Sequence, residues 1–477
     1  MKISSNKKTI VKTVSIIFLI YFVLNFVVGQ RHYNNIINLF PDNIKKSISK
    51  IVFPIKYIKS LQSEINYVKS VVDYWKGQVD LAKPYGKDIK IKTKLKDLNY
   101  NKYNSEFIYN GNVIKIEKFL NYDPFLRGIQ NTLPGSAYLD IYDNKIFIAS
   151  TIGILGFSNF LNDKKFNFKQ IQNNIEEYLN ITHFRRNKTY SVRDVKLHNN
   201  KVFISFIEEV RKECWSTSVL WAELNYQKLN FEKLFSSSEC VDLKNIDGEF
   251  NASQSGGRII FLDQDNFLLS IGDYRVRYLA QKEDSIFGKI IKFNIKDKKY
   301  KIISMGHRNP QGLLFDKKKM IALSTEHGPM GGDEVNLIQL DEEEILNYGW
   351  PIASYGEHYP VKVKSYGEEV AKKINENRAK KYPLLKSHRE NGFIEPLKNY
   401  TPSIGMSEIV QINDNTYLFA SMKDRSIYFF KLNDKNQIEK EPLRINIGER
   451  IRDIAVFDNE YYLFLEDTGS IARFTIN

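Results

Sequence analysis

Ala137–Ser150 reads AYLDIYDNKIFIAS. Apolar and polar residues alternate as far as Tyr142, an Asp-Asn pair interrupts, and an apolar run returns before ending in Ala-Ser. An apolar strand, an Asp/Asn turn and a second apolar strand ending in small residues together read as a β-hairpin. Asp and Asn tolerate the left-handed backbone of the tight turn between the arms. The same form returns at Val192–Glu209, Gly257–Asp273, Gly288–Met305, Gln311–Glu326, Glu408–Met422, Ser426–Lys440 and Arg452–Asp467. A spacing of about 50–60 residues leaves room for about six strand-rich units, and that repetition predicts an all-β fold, a six-bladed β-propeller. A single large β-sandwich fits the repetition less well.

The first hundred residues follow another pattern. Lys2, Lys7, Lys8 and Lys12 precede the apolar run Thr13–Gly29, TVSIIFLIYFVLNFVVG. Basic flanks and this length predict a transmembrane signal anchor with the lysines kept cytoplasmic. A cleaved signal peptide is the rival reading, but Val27-Val28-Gly29 is a poor cleavage site. The expected organisation is therefore a signal anchor or transmembrane helix over 1–30, a helical stalk and linker over 31–100, and a propeller over 101–477. The chain is expected to cross the inner membrane once and to hold its propeller in the periplasm. From Pro41 to about Ala82 apolar residues recur at helical spacing, with Pro54 as a break. A basic, polar stretch near Val361–Glu395 interrupts the repeats and reads as a surface insertion with a helix.

Cys214 and Cys240 flank a strand–turn–strand segment. In an oxidising compartment they are expected to form a disulfide, the alternative being two separate buried thiols. The formal charge is +14, with lysines spread along the chain rather than blocked together. No helix-turn-helix, zinc-finger or aromatic RNA-binding signature accompanies it, so a nucleic-acid partner is not expected.

Three runs carry chemistry: Gly306–Leu313 (GHRNPQGL), Ser324–Ile338 (STEHGPMGGDEVNLI) and Asn347–Pro351 (NYGWP). In order and spacing they resemble the soluble quinoprotein glucose dehydrogenases and the related aldose-sugar and sorbosone dehydrogenases. The resemblance runs from about Leu133 to the C-terminus. It implies a six-bladed propeller that binds pyrroloquinoline quinone (PQQ) with calcium on one face, oxidises a sugar, and passes electrons to a quinone or another carrier. PQQ is a planar ortho-quinone with three carboxylates, so it calls for cations. The resemblance assigns cofactor contacts to Arg308 and Asn309, to Lys423 in SMKDR, and to Arg450 and Arg452 in RIRD. Lys145 stands where the family has a glutamine that touches the cofactor. Carbonyls of Gly328 and Pro329 are expected to bind the cofactor-linked calcium. Asp333, Glu334 and Tyr348 resemble residues near a second, structural calcium. The family's catalytic histidine, in His-x-x-Gly-Arg, is matched here by Gln254 in QSGGR. Glutamine does not accept a proton near neutral pH. Asp247 and Glu249, just upstream, are the candidate replacement bases. A propeller that binds a carbohydrate, envelope or protein ligand without turnover is the alternative.

Overall fold

Six of these stretches form the first two strands of a four-stranded antiparallel blade, while Gly288–Met305 supplies the last two strands of the third blade and Ser426–Lys440 the third strand of the fifth. The computed structural model describes residues 65, 88–92, 106–121, 136–151, 153–159, 166–179, 192–361 and 367–476. The innermost strands are Ala137–Tyr142, Val192–His198, Gly256–Phe261, Pro310–Asp316, Met406–Asn413 and Ile451–Phe457. Each packs against the next, and the sixth returns to the first, closing an all-β six-bladed propeller. The Asp/Asn pairs act as the sequence predicts: Asp143 and Asn144 (φ 49° and 55°), Asn199 and Asn200 (48° and 58°), and Asp458 and Asn459 (48° and 60°) are all left-handed. Two successive residues of that kind match the twist of the strands they join.

The last blade takes its outermost strand from the other end of the chain. Glu117–Asn121 pairs antiparallel with Ser470–Thr475. Asp88–Lys92, within the stretch read as stalk and linker, is a strand that pairs with Glu117–Asn121 and with Phe166–Asn173. The predicted anchor over 1–30 and the helical period of 41–82, apart from Ile65, lie outside the described residues. Among the described residues no helix is long and apolar enough to cross a membrane.

Carboxylates on the innermost strands staple neighbouring blades around the axis. Asp453 Oδ2 accepts from Leu139 N (2.6 Å), Asp140 Oδ2 from Leu197 N (2.6 Å) and Asp194 Oδ2 from Ile259 N (2.8 Å). Arg258, 3% exposed, stands among them. Its Nη1 meets Asp453 at 2.7 Å, Glu408 at 2.9 Å and Asp194 at 3.2 Å, so one guanidinium ties blade 3 to blades 2, 5 and 6. Its Nε and Nη2 donate to the carbonyls of Gln311 and Arg452.

Cys214 and Cys240 form a disulfide with Cα atoms 5.3 Å apart, beside the pairing of Cys214–Glu223 with Val241–Asp242. The insertion carries one helix, α1 (Glu368–Lys381). It is no free surface element: Arg378 and Lys381 on α1 pair with Glu249 and Asp247 of the loop before blade 3.

Candidate functional site

A cleft of about 450 Å³ opens where the innermost strands begin, directly above Arg258. Six cationic side chains line it: Arg193, Arg275, Arg308, Lys423, Arg450 and Arg452. One carboxylate, Asp333, lines it with them.

The cations are held mostly by neutral dipoles. The Gln311 amide oxygen lies 3.5 Å from both Arg193 Nη2 and Arg452 Nη1. Gln254 makes the same kind of bridge on the opposite side. Its amide oxygen accepts from Arg308 Nη2 (2.9 Å) and Arg275 Nε (3.0 Å), and its NH2 group donates to Asp273 Oδ1 (3.1 Å). Arg193 also donates to the carbonyls of Gly256 and Ser253, and Arg308 to that of His327. Burial lowers the pKa of Arg193 and of Arg308, with Asp273 opposing it at Arg308. Arg450 and Arg452 share the buried Glu466 at 3.1 and 2.5 Å, and against the cost of burial Glu466 holds Arg452 firmly charged. Among the described residues Arg193, Arg275 and Lys423 form no ion pair in the cleft. A concave site with that excess of positive charge is built for an anion.

Glycine is required at two points. A Cβ on Gly257 would lie 2.3 Å from Arg193 Cβ, so this glycine lets the arginine cross into the cleft. A Cβ on Gly328 would lie 2.0 Å from the Gly332 carbonyl oxygen. The Gly-Pro-Met-Gly-Gly run therefore folds back on itself at the cleft wall. Asp333 pins that turn, accepting from Gly328 N (3.0 Å) and from Gly405 N of the next blade (2.6 Å).

Of the residues singled out in the sequence, Gln254, Arg308, Asn309, Gly328, Asp333, Lys423, Arg450 and Arg452 meet at the cleft from blades 3 to 6. Others do not. Lys145 sits beyond the first hairpin turn, at the opposite end of blade 1, where its Nζ binds Asp143 and lies over the Tyr226 ring. A strand pair that starts at the cleft must turn away from it. Asp247 and Glu249 are not free bases. Asp247 accepts from Arg277 N, Lys381 and Tyr382, and Glu249 pairs with Arg277 and Arg378.

The residues expected near calcium are hydrogen-bonded within the protein. Both Asp333 oxygens are taken by backbone N–H groups. The Pro329 carbonyl accepts from Ser403 (3.2 Å) and Tyr359 (3.4 Å) hydroxyls. Glu334 faces Asn336 and His388, and the buried Tyr348 hydroxyl donates to Leu337 O. Among the described residues no group of three or more His, Cys, Asp or Glu is placed to hold a metal.

Arg193, Arg275, Gln311 and Tyr359 were not picked out from the sequence. Arg193 was within reach. Val192-Arg193-Asp194 repeats Ile451-Arg452-Asp453 at the start of an innermost strand, so laying one repeat on the other points to it.

The profile of the glucose/sorbosone dehydrogenase family matches residues 191–473. The uncharacterized protein slr1608 of Synechocystis sp. is 31% identical over 245 residues, 45% of this chain and 54% of that protein. The aldose sugar dehydrogenase YliI of Escherichia coli is 26% identical over 235 residues, 45% of this chain and 57% of its own. The chain thus spans little more than half the length of these curated relatives. Among solved structures, the apo form of the soluble E. coli aldose sugar dehydrogenase superposes with a TM-score of 0.54 at 20% identity, covering 76% of this chain and 100% of that one. The PQQ-bound aldose sugar dehydrogenase of Streptomyces coelicolor superposes with a TM-score of 0.54 at 16% identity, over 76% and 99%. At these identities the structural likeness establishes the fold.

Proposed function

Since the chain belongs to the glucose/sorbosone dehydrogenase family, we propose that its cleft binds PQQ and that it oxidises an aldose sugar or a related alcohol. The observation that carries this is the six cations lining the cleft with one carboxylate, three of which, Arg193, Arg275 and Lys423, form no ion pair among the described residues, while Arg450 and Arg452 share the single Glu466 behind them. A tricarboxylate supplies the missing charge. Lys423, Arg450, Arg452 and Arg308 would hold it, with Asn309 beside them. When bound, PQQ supplies the electrophilic carbonyl that accepts a hydride.

The chain itself must take the proton of the sugar hydroxyl. Gln254 does not, and the Asp333 oxygens are occupied. That leaves His327, whose Nε2 is engaged with Met406 O and whose ring burial keeps neutral at pH 7. Its Nδ1 is then the open lone pair in the cleft. We place the propeller outside the cytoplasm on the Thr13–Gly29 anchor, delivering electrons to a membrane quinone or another carrier.

A second reading, ligand binding without turnover, is favoured by Gln254. The test is a PQQ titration of the purified full-length protein, followed by absorbance with and without calcium, then a sugar panel with a redox dye. Saturable binding with dye reduction is expected. Binding without reduction supports the second reading, and Gln254→His is then expected to restore turnover. Absence of binding overturns the cofactor reading.

A further inference from the structure

Arg275 stands outside the set of cations that the motifs assign to the cofactor, and its backbone is unusual. Tyr274 and Arg275 are both left-handed, at φ 50° and 68°. Successive non-glycine residues in that region are strained and persist only where their surroundings enforce them. Here Asp273 Oδ1 accepts from Arg275 N at 2.8 Å, and Tyr274 N donates to Gln254 O at 3.0 Å. The distortion aims the Arg275 guanidinium into the cleft. Its Nε meets the Gln254 amide oxygen at 3.0 Å, opposite Arg308, and its plane lies 5.6 Å from the Tyr359 ring. Among the described residues no carboxylate pairs with that guanidinium. Tyr359 lies just before the insertion, is 44% exposed, and has its carbonyl held by Arg378 of the insertion at 2.9 Å. This wall therefore offers a half-open aromatic face beside two guanidinium groups that share one neutral acceptor.

We propose that the Arg275 guanidinium, held by Gln254 beside the cofactor-facing Arg308, forms an anion subsite for the substrate, and that the sugar taken by this cleft carries a carboxylate or a phosphate. Tyr359 packs against the apolar face of the sugar ring while the acidic group receives the guanidinium fork. Gln254 fits this arrangement because its single oxygen accepts from both arginines and adds no charge that would repel the acid. The proposal rests on the reading that the cleft takes a sugar.

The test uses the purified full-length protein, first without PQQ and then saturated with it. Calorimetry measures binding of glucuronate, glucose 6-phosphate and glucose. One acidic sugar is expected to bind at least about 10-fold tighter than glucose, the factor one charge-assisted hydrogen bond is worth, and which one it is separates carboxylate from phosphate. Arg275→Asn, a residue that accepts the left-handed backbone, is expected to erase that preference, and Arg275→Lys to keep part of it. Equal affinity for all three sugars overturns the proposal. So does an Arg275→Asn protein that keeps the preference but loses PQQ affinity, because Arg275 then serves the cofactor. A preference that persists while PQQ fails to bind upholds the subsite and removes the cofactor reading instead.

Discussion

Two sets of charges lie one above the other in this propeller, and they are built on opposite principles. On the axis Arg258 touches carboxylates from three blades, and Asp140 is paired with Lys196 at 3.6 Å. In the cleft just above, Arg193, Arg275 and Lys423 have no carboxylate at all among the described residues. Both Arg258 and Arg193 are buried, at 3% and 6% exposure, so burial alone does not separate them. What separates them is the partner. A buried charge met by opposite charge belongs to the fold. A charge held by amides and carbonyls is kept for something that arrives from solvent.

Breaking the axis should have the largest effect. Arg258→Met leaves Asp194, Glu408 and Asp453 facing one another with Lys196 as the remaining cation among them. The expected loss is about 3–5 kcal/mol of unfolding free energy, measured by urea denaturation. A loss below about 1 kcal/mol would mean that the axial charges are not coupled as described.

Acidification should sharpen the contrast. Burial lifts Glu408 to about 7 and Asp194 to about 6, with Arg258 pulling both back. Both values lie above those of the unfolded chain, so the folded state binds more protons across this window. The stabilisation is complete below the unfolded carboxylate range and is lost as pH rises through about 6 and then about 7. Unfolding free energy is therefore expected to rise as pH falls from 8 to 5.5, by up to about 3 kcal/mol. Glu408→Gln should flatten that slope, which a melt series across pH would show.

The smallest effect on stability is expected in the cleft. Arg193→Met removes a buried cation that has no ion pair, and should change unfolding free energy by less than about 1 kcal/mol in either direction. The same variant should weaken PQQ binding about 10-fold in the absorbance titration, as loss of one charge-assisted contact implies. A stability loss equal to that of Arg258→Met would erase the distinction drawn above.

The contrast also explains what could be read from the sequence. The blades were legible because strand alternation and Asp/Asn turns are local signals, and each hairpin carries both. Arg308, Lys423, Arg450 and Arg452 were legible because their motifs fix residue type and order together. Asp247 and Glu249 misled because nearness along a loop does not set direction. The Asn245–Gly248 turn carries them toward Arg277 and α1, where three cations claim them. Arg275 was hidden because its placement depends on a left-handed backbone that only the packed site enforces. The ion pairs of the axis join residues up to 195 positions apart, as between Arg258 and Asp453 on separate blades, and no local pattern announces them.

The strand Glu117–Asn121 gives the ring a constraint in time. It occupies the outer edge of the last blade, and its Lys118 is buried against Glu449. A ribosome delivers that strand some 350 residues before Ser470–Thr475, the strand it must pair with. Until the final residues emerge, both edges stay unpaired and open to association with other chains. This blade therefore completes only once Ser470–Thr475 has been made. That pairing is an event of long loop-closure distance, slow to form compared with the local hairpins of the other blades.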